Sequence, residues 1–279
     1  MSPRCIGPSR ADWSRKLEIV CPAWHPGAEK LIDAIPVLAD QGVTAVEIGV
    51  DFPEYFDHRD AYEVQRLMSK LAECGVRAHS VHSAFGPSYD ISSPDDEVHE
   101  RGVEALIDSI ELAGVLGSST VIVHASDIVT DRRNRRLDRA RGVLREVGVV
   151  AKESGVVIAL ENLPPDHLGH TPDDIEMLTE GTDGDSVAIC FDSGHANLSG
   201  HFAEFADALL PHAITTHLHD NDGKEDQHRF PGEGTIDWPG FAAAYRASKC
   251  EASIMLECKP PEDVLWSEAF HRLRLALGE

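Results

Sequence analysis

Eight short runs rich in β-branched and apolar residues recur along the chain, at 17–20, 43–50, 76–83, 119–125, 156–163, 187–192, 213–219 and 252–258. Each is followed by a polar loop and then by a stretch with helical periodicity. Apolar residues there fall at i, i+3, i+4 spacing, as in Val103, Ile107 and Ile110 or Phe202, Phe205 and Leu209. Thr171-Pro172-Asp173-Asp174 reads as a helix start, with Thr as N-cap, Pro at the first helical position and an acid at the third. Gly42, Gly75, Gly117 and Gly155 stand between a helix and the next strand, where a left-handed cap is useful. Eight strands alternating with eight helices imply parallel βα units. Eight is also the number that closes a barrel, and 279 residues fit a single one. The expected architecture is α/β, a single (β/α)8 TIM barrel over residues 17–279 preceded by an N-terminal extension, 1–16. A doubly wound open sheet is the competitor, but no GxGxxG or Walker loop follows the first strand.

The 25 Lys and Arg face 48 Asp and Glu, a net charge of −23. Affinity for a phosphate backbone comes from cationic side chains that displace counterions, so this balance argues against a nucleic-acid partner. Hydrophobic residues make up 42% of the chain, enough for a sizeable core and too many for intrinsic disorder. No apolar run is long enough to span a membrane, and the first 16 residues lack the apolar stretch of a signal peptide. Six scattered cysteines form no CxxC pair, which reads as reduced thiols in a cytoplasmic protein.

The informative feature is how the strands end. The third ends in Ser80-Val81-His82, the fourth in Ile122-Val123-His124 and the fifth in Leu160-Glu161-Asn162. The sixth runs into Asp192-Ser193-Gly194-His195, the seventh is His217-Leu218-His219-Asp220, followed by Asp226-Gln227-His228, and the eighth ends in Leu256-Glu257. Six consecutive strands thus deliver His or a carboxylate to the C-terminal face, where barrel enzymes hold their active sites. Period two puts Ile122 with His124, Ala159 with Glu161 and His217 with His219 on common faces. Each histidine taken alone is more often a surface or core residue than a ligand. Gathered at one mouth, the imidazoles and carboxylates would repel, or be desolvated at heavy cost, unless cations sat among them. Nitrogen and oxygen donors without Cys suit Zn²⁺, Mn²⁺, Co²⁺ or Fe²⁺ better than Ca²⁺. The loop residues Trp24, His25, Phe52, Phe85, His167 and Phe230 are candidates for the pocket wall, and Asp51 and Glu54 read as surface residues.

At these residues the chain resembles the xylose isomerase-like TIM barrel superfamily, which holds sugar isomerases and epimerases together with the endonuclease IV group. The resemblance runs from Leu17 to Glu257. It is most specific at Leu160-Glu161-Asn162, Phe191-Asp192-Ser193-Gly194-His195, His217-Leu218-His219-Asp220-Asn221 and Pro231-Gly232-Glu233-Gly234-Thr235-Ile236-Asp237-Trp238. Similarity to the epimerases implies one divalent metal (Zn²⁺ or Mn²⁺, with Co²⁺ and Mg²⁺ open) held by Glu161, Asp192, His219 and Glu257. His219 is preferred to His217 because the second His of the motif matches the family ligand. The resemblance further implies His195, His217, Asn162 and Lys224 as substrate contacts, and a homodimer or homotetramer. Similarity to the endonuclease IV group implies a longer, trinuclear zinc set that adds His82, His124, His195, Asp226 and His228.

Two reactions follow. In the first, a sugar or sugar-like polyol is isomerised or epimerised through an enediolate, with Glu161 and Glu257 as the acid/base pair around the metal. In the second, a metal-bridging hydroxide attacks a small phosphate ester and Glu161 bridges two ions. Arg132, Arg133, Arg135 and Arg136 after strand four would suit a phosphate, although a solvated helix start is the more usual meaning of such a run. The loop 164–170 is not basic, and the region where ketose epimerases place an Arg reads Gly223-Lys224-Glu225-Asp226. Acidic charge and the non-basic mouth favour the isomerase or epimerase; the extra histidines favour the phosphoesterase. A non-catalytic metal- or sugar-binding barrel is the third reading.

Overall fold

The computed structural model describes residues 19–25 and 27–277. Extension 1–16 and the start of the first predicted strand lie outside them. Eight parallel strands close into a barrel in sequence order. They are β1 (Ile19–Pro22), β2 (Ala45–Gly49), β3 (Arg77–His82) and β4 (Thr120–Val123), then β5 (Val157–Glu161), β6 (Val187–Asp192), β7 (Ala213–Leu218) and β8 (Ser253–Leu256). Around them run α1 (Leu31–Asp40), α2 (Ala61–Cys74), α3 (Asp96–Leu116), α4 (Arg133–Glu153) and α5 (Pro172–Thr179). These are followed by α6 (Ser193–Leu198), α7 (Phe202–Leu209), α8 (Trp238–Ala247) and α9 (Trp266–Ala276). The sequence pattern anticipates the strands and most helices. It does not separate the short α6, which starts directly at the end of β6.

Local chemistry sets the helix ends. The Asp95 carboxylate caps α3 by accepting from the Glu97 and Val98 amides, and Gly117 closes it in the left-handed region at φ 73°. Thr171 caps α5, its hydroxyl accepting from the Asp174 amide at 3.1 Å. Between its caps α3 buries Leu106, Ile110 and Ala113, spaced for one face; each large apolar side chain so buried stabilises the fold by about 1.5–3 kcal/mol.

The strands alternate in period two. Ile158 and Leu160 of β5 join the main core between barrel and helices, whereas Ala159 packs inside the barrel with Ile122 and Cys190. Val20, Ala45 and Met255 form a second small apolar cluster. Register keeps the C-terminal ends level: His82 pairs with Ile122, Glu161 with Cys190 and Asp192 with His217. The register slips at two places, between Val46 and Glu47 and between Ile189 and Cys190. Such bulges re-aim side chains beside active sites. Among the described residues no helix is long and apolar enough to cross a membrane, and Cys21, Cys74, Cys190, Cys250 and Cys258 are free thiols.

Candidate metal centre

The inward-facing ends of β3 to β8 bring the imidazoles and carboxylates into one continuous cluster. Glu161, 1% exposed, is its centre. One of its oxygens, Oε2, lies 3.6 Å from His82 Nε2, 3.3 Å from His124 Nε2 and 3.3 Å from His217 Nδ1; the other, Oε1, lies 3.3 Å from His195 Nδ1. Glu257 Oε2 comes within 3.2 Å of His217 Nδ1 and 3.9 Å of His219 Nε2. His219 Nε2 is 3.1 Å from Asp192 Oδ2, while Asp226 Oδ2 sits 3.4 Å from His195 Nε2 and 3.1 Å from His228 Nε2.

The spacing Asp192-Ser193-Gly194-His195 has a local cause. Asp192 ends β6 and caps α6, its Oδ1 accepting from the His195 amide at 2.6 Å, which leaves Oδ2 for His219. Gly194 is required by close approach: a Cβ there would overlap the His219 ring. Asp220 organises the next segment. It is fully buried and accepts from the Asn221, Ile236 and Gly232 amides and from the Trp238 indole at 2.8–3.2 Å. Its backbone also pairs with Arg229, so the segment carrying Asp226 and His228 is fastened to β7. His228 itself adopts φ +44°, a conformation held only where its surroundings impose it. Its ring stacks on His219, with centroids 4.0 Å apart.

The donors fit a divalent cation. His82, His195 and His228 each direct Nδ1 at a backbone carbonyl, of Ser83, Asn162 and Glu257 respectively, at 2.8–2.9 Å. With the Nδ1 proton donated there, Nε2 presents its lone pair to the cluster, the arrangement that carbonyls impose on metal-ligating histidines. Within the cluster, four buried atoms make no hydrogen bond: Glu161 Oε2, His217 Nδ1, His219 Nδ1 and Glu257 Oε2. Buried polar atoms left this way are costly unless something else satisfies them. Donor atoms converge in several triplets, among them His82–His124–Glu161, Asp192–His195–His219 and His219–Asp226–His228. Nitrogen and oxygen donors of this kind suit zinc or a neighbouring transition metal.

Without a cation the imidazoles titrate against the carboxylates. Burial alone would lower the pKa of His82, but its contact with Glu161 and the charges of Glu47 and Asp51 raise it to about 9. Burial likewise opposes protonation of His228, and Asp226 with Glu257 raises it to about 9. Raised imidazole values stabilise the metal-free fold below the ordinary value of 6.5, and that contribution is lost as pH climbs to about 9. A cation must displace the same protons. Zinc affinity of chelator-stripped protein, measured against a competing dye, is therefore expected to rise about tenfold per pH unit for each proton displaced, up to pH 9. Affinity flat over that interval would contradict this electrostatic picture.

Other residues fall in different places. Asn162 spends its carboxamide on the backbone of Asp192, donating to its carbonyl at 2.9 Å and accepting from its amide at 2.8 Å. His217 is fully buried beneath the carboxylates, and Lys224 stands exposed on the loop after β7. Phe230 packs in the core instead of the pocket wall, whereas Phe85 lies over the His82 and His124 rings at 5.2 and 4.5 Å. Asp51 is no surface residue: it is partly buried, accepts from the Phe85 amide, and burial raises its pKa. In the arginine block Arg136 is buried against Asp90, Arg133 pairs with Asp174, and Arg132 lies 3.5 Å from Asp131. Sequence reasoning missed Glu47, buried on β2, which accepts from the Ser80 hydroxyl at 2.6 Å and faces His217 Nε2 at 3.3 Å. Burial would raise its pKa, but His217 holds it down at about 2. The available signal was a lone acid in the run Ala45-Val46-Glu47-Ile48.

The family model described as xylose isomerase-like TIM barrel matches residues 35–275. An uncharacterized protein of Methanocaldococcus jannaschii is 28% identical, with 86% of this chain and 83% of that protein aligned. A probable endonuclease 4 of Campylobacter concisus is 25% identical, over 76% of this chain and 81% of its own length. Among solved structures, a D-tagatose 3-epimerase-like protein superposes with a TM-score of 0.82 at 27% identity, covering 94% of this chain and 97% of the other.

Proposed function

The chain belongs to the xylose isomerase-like TIM barrel family, and from that premise we propose that it is a metal-dependent isomerase or epimerase of a sugar or sugar-like polyol. The observation that carries this reading is the convergence of Glu161 and Glu257. Their Oε2 atoms lie 3.3 and 3.2 Å from the same nitrogen of His217, so two carboxylates from β5 and the end of β8 face one small space. Removal of a proton from carbon and its return need two such groups around one atom. Glu161, Asp192, His219 and Glu257 would hold the cation. Bound there, it would supply Lewis acidity that makes the C–H next to a chelated carbonyl more acidic. His195, pinned by Asn162 and the Asp192 cap, is placed to hydrogen-bond a hydroxyl from Nε2. The likeness to a D-tagatose 3-epimerase-like structure supports the same reading.

A multinuclear phosphoesterase is the second reading, favoured by the donors beyond that single set: His82 with His124, and His195 with Asp226 and His228. Against it, three of the four arginines in the block, Arg132, Arg133 and Arg136, are engaged with Asp131, Asp174 and Asp90.

The two separate in deuterated water. Protein loaded with zinc or manganese and given a panel of ketoses and aldoses is expected to place deuterium on the carbon next to the carbonyl, read by NMR. Glu257→Gln should lower that exchange by about 10²–10⁴-fold, the usual contribution of a positioned acid or base. No exchange with any sugar, together with hydrolysis of phosphate esters and two or three equivalents of zinc per chain, would replace this proposal by the second reading.

A further inference from the structure

A cavity of about 870 Å³ opens between the segment after β1 and the segment after β8, and Glu257 and His228 belong to its wall. It is therefore continuous with the candidate metal centre. Its volume is that of a site for a drug-sized ligand, about 300–1,000 Å³, and several times what one free sugar fills. Most of the wall is apolar: Trp24, Pro260, Pro261, Leu265 and Trp266 all line it. Trp24 is 40% exposed and Leu265 57%. Large apolar side chains left in water around one concavity mark a binding surface. The Lys259 ammonium lies 4.3 Å from the centre of the Trp24 ring, a cation–π contact that holds the indole in place as a flat platform.

Resting on the isomerase or epimerase reading, we propose that this cleft is a second subsite, and that the substrate is a sugar carrying an aromatic substituent. The sugar ring reacts between Glu161 and Glu257 while the substituent lies against Trp24. An aromatic group suits these walls better than a second sugar. Apolar surface dominates, and offset or edge-on packing against an indole rewards another aromatic ring. Glu257 is the hinge of the argument, since one carboxylate borders both spaces. Lys259, two residues further on, ties the platform to the same segment.

The test is equilibrium binding, which needs no turnover. Metal-loaded protein is titrated with 6-O-phenyl and 6-O-methyl ethers of the same set of ketohexoses, whose carbonyl stays free, followed by calorimetry. Phenyl ethers are expected to bind at least about tenfold more tightly than their methyl counterparts, from the extra apolar area buried. Trp24→Ala should erase the difference, and Lys259→Met, which leaves the indole in place, should reduce it. Equal affinity for phenyl and methyl ethers, discrimination that survives Trp24→Ala, or no binding by any phenyl ether would overturn the proposal. Failure of the isomerase reading shows differently, as intact phenyl preference without deuterium exchange into these ethers.

Discussion

Glu161→Gln is expected to strip the protein of most of its metal and to lower turnover by about 10³-fold or more, a loss of about 4 kcal/mol in transition-state stabilisation. Among the described residues no other carboxylate is approached by four imidazoles. Oε2 faces His82, His124 and His217, and Oε1 faces His195. Burial would raise its pKa, yet His217 and His124 hold it well below the ordinary range, which favours the ionised carboxylate. Gln keeps the shape and removes the charge. Its amide nitrogen can accept nothing, and the imidazoles around it then face a donor in place of an anion. Metal content by mass spectrometry and the rate of solvent-deuterium exchange should fall together. Full metal content with a rate loss under about tenfold would show that Glu161 is a bystander.

Asp220→Ala is the second large effect, and it acts through architecture. Four N–H groups converge on this fully buried carboxylate, three from the backbone and one from Trp238. Truncation leaves those donors without partners in a space that water does not reach. The expected cost is about 3–5 kcal/mol, seen as a fall of about 10 °C in Tm. The same change should loosen the segment carrying Asp226 and His228. Through His228, which stacks on His219, metal should then be lost at lower chelator concentration than from the parent. A Tm within about 2 °C of the parent would refute the hub.

How far the sequence could be read follows from which signals are local. The barrel was legible because each strand announces itself with a β-branched run, and because His82, His124, Glu161 and Glu257 all end such runs. The Thr171 and Asp192 caps act within three residues, so their chemistry can be read directly. His217 and His219 were harder. Period two sends both inward, but only the register shows that they occupy different depths, one against Glu47 and the other against Asp192. Glu47 was hidden because one acid in an apolar strand looks like an edge residue until a partner on β7 is known. The arginine block opens α4, as the helix-start reading of such a run has it, but a run of charge in sequence says nothing about the acids, Asp90 and Asp174, that the fold brings to it. Asp51 was read as exposed because the loop after β2 carries no signal that Phe85 folds over it.

The three carbonyls that take the Nδ1 protons of His82, His195 and His228 have a further consequence. They come from Ser83, Asn162 and Glu257, residues at or just beyond the ends of β3, β5 and β8. Imidazole rotation is thus frozen by the same chain ends that finish the barrel, before any ion arrives. In a zinc finger the ion gathers loose ligands and its binding energy becomes folding energy. Here the entropy of arranging the donors is lost when the barrel closes, so a cation would enter a finished seat. It would act as a removable reagent, and one scaffold could exchange one ion for another without refolding.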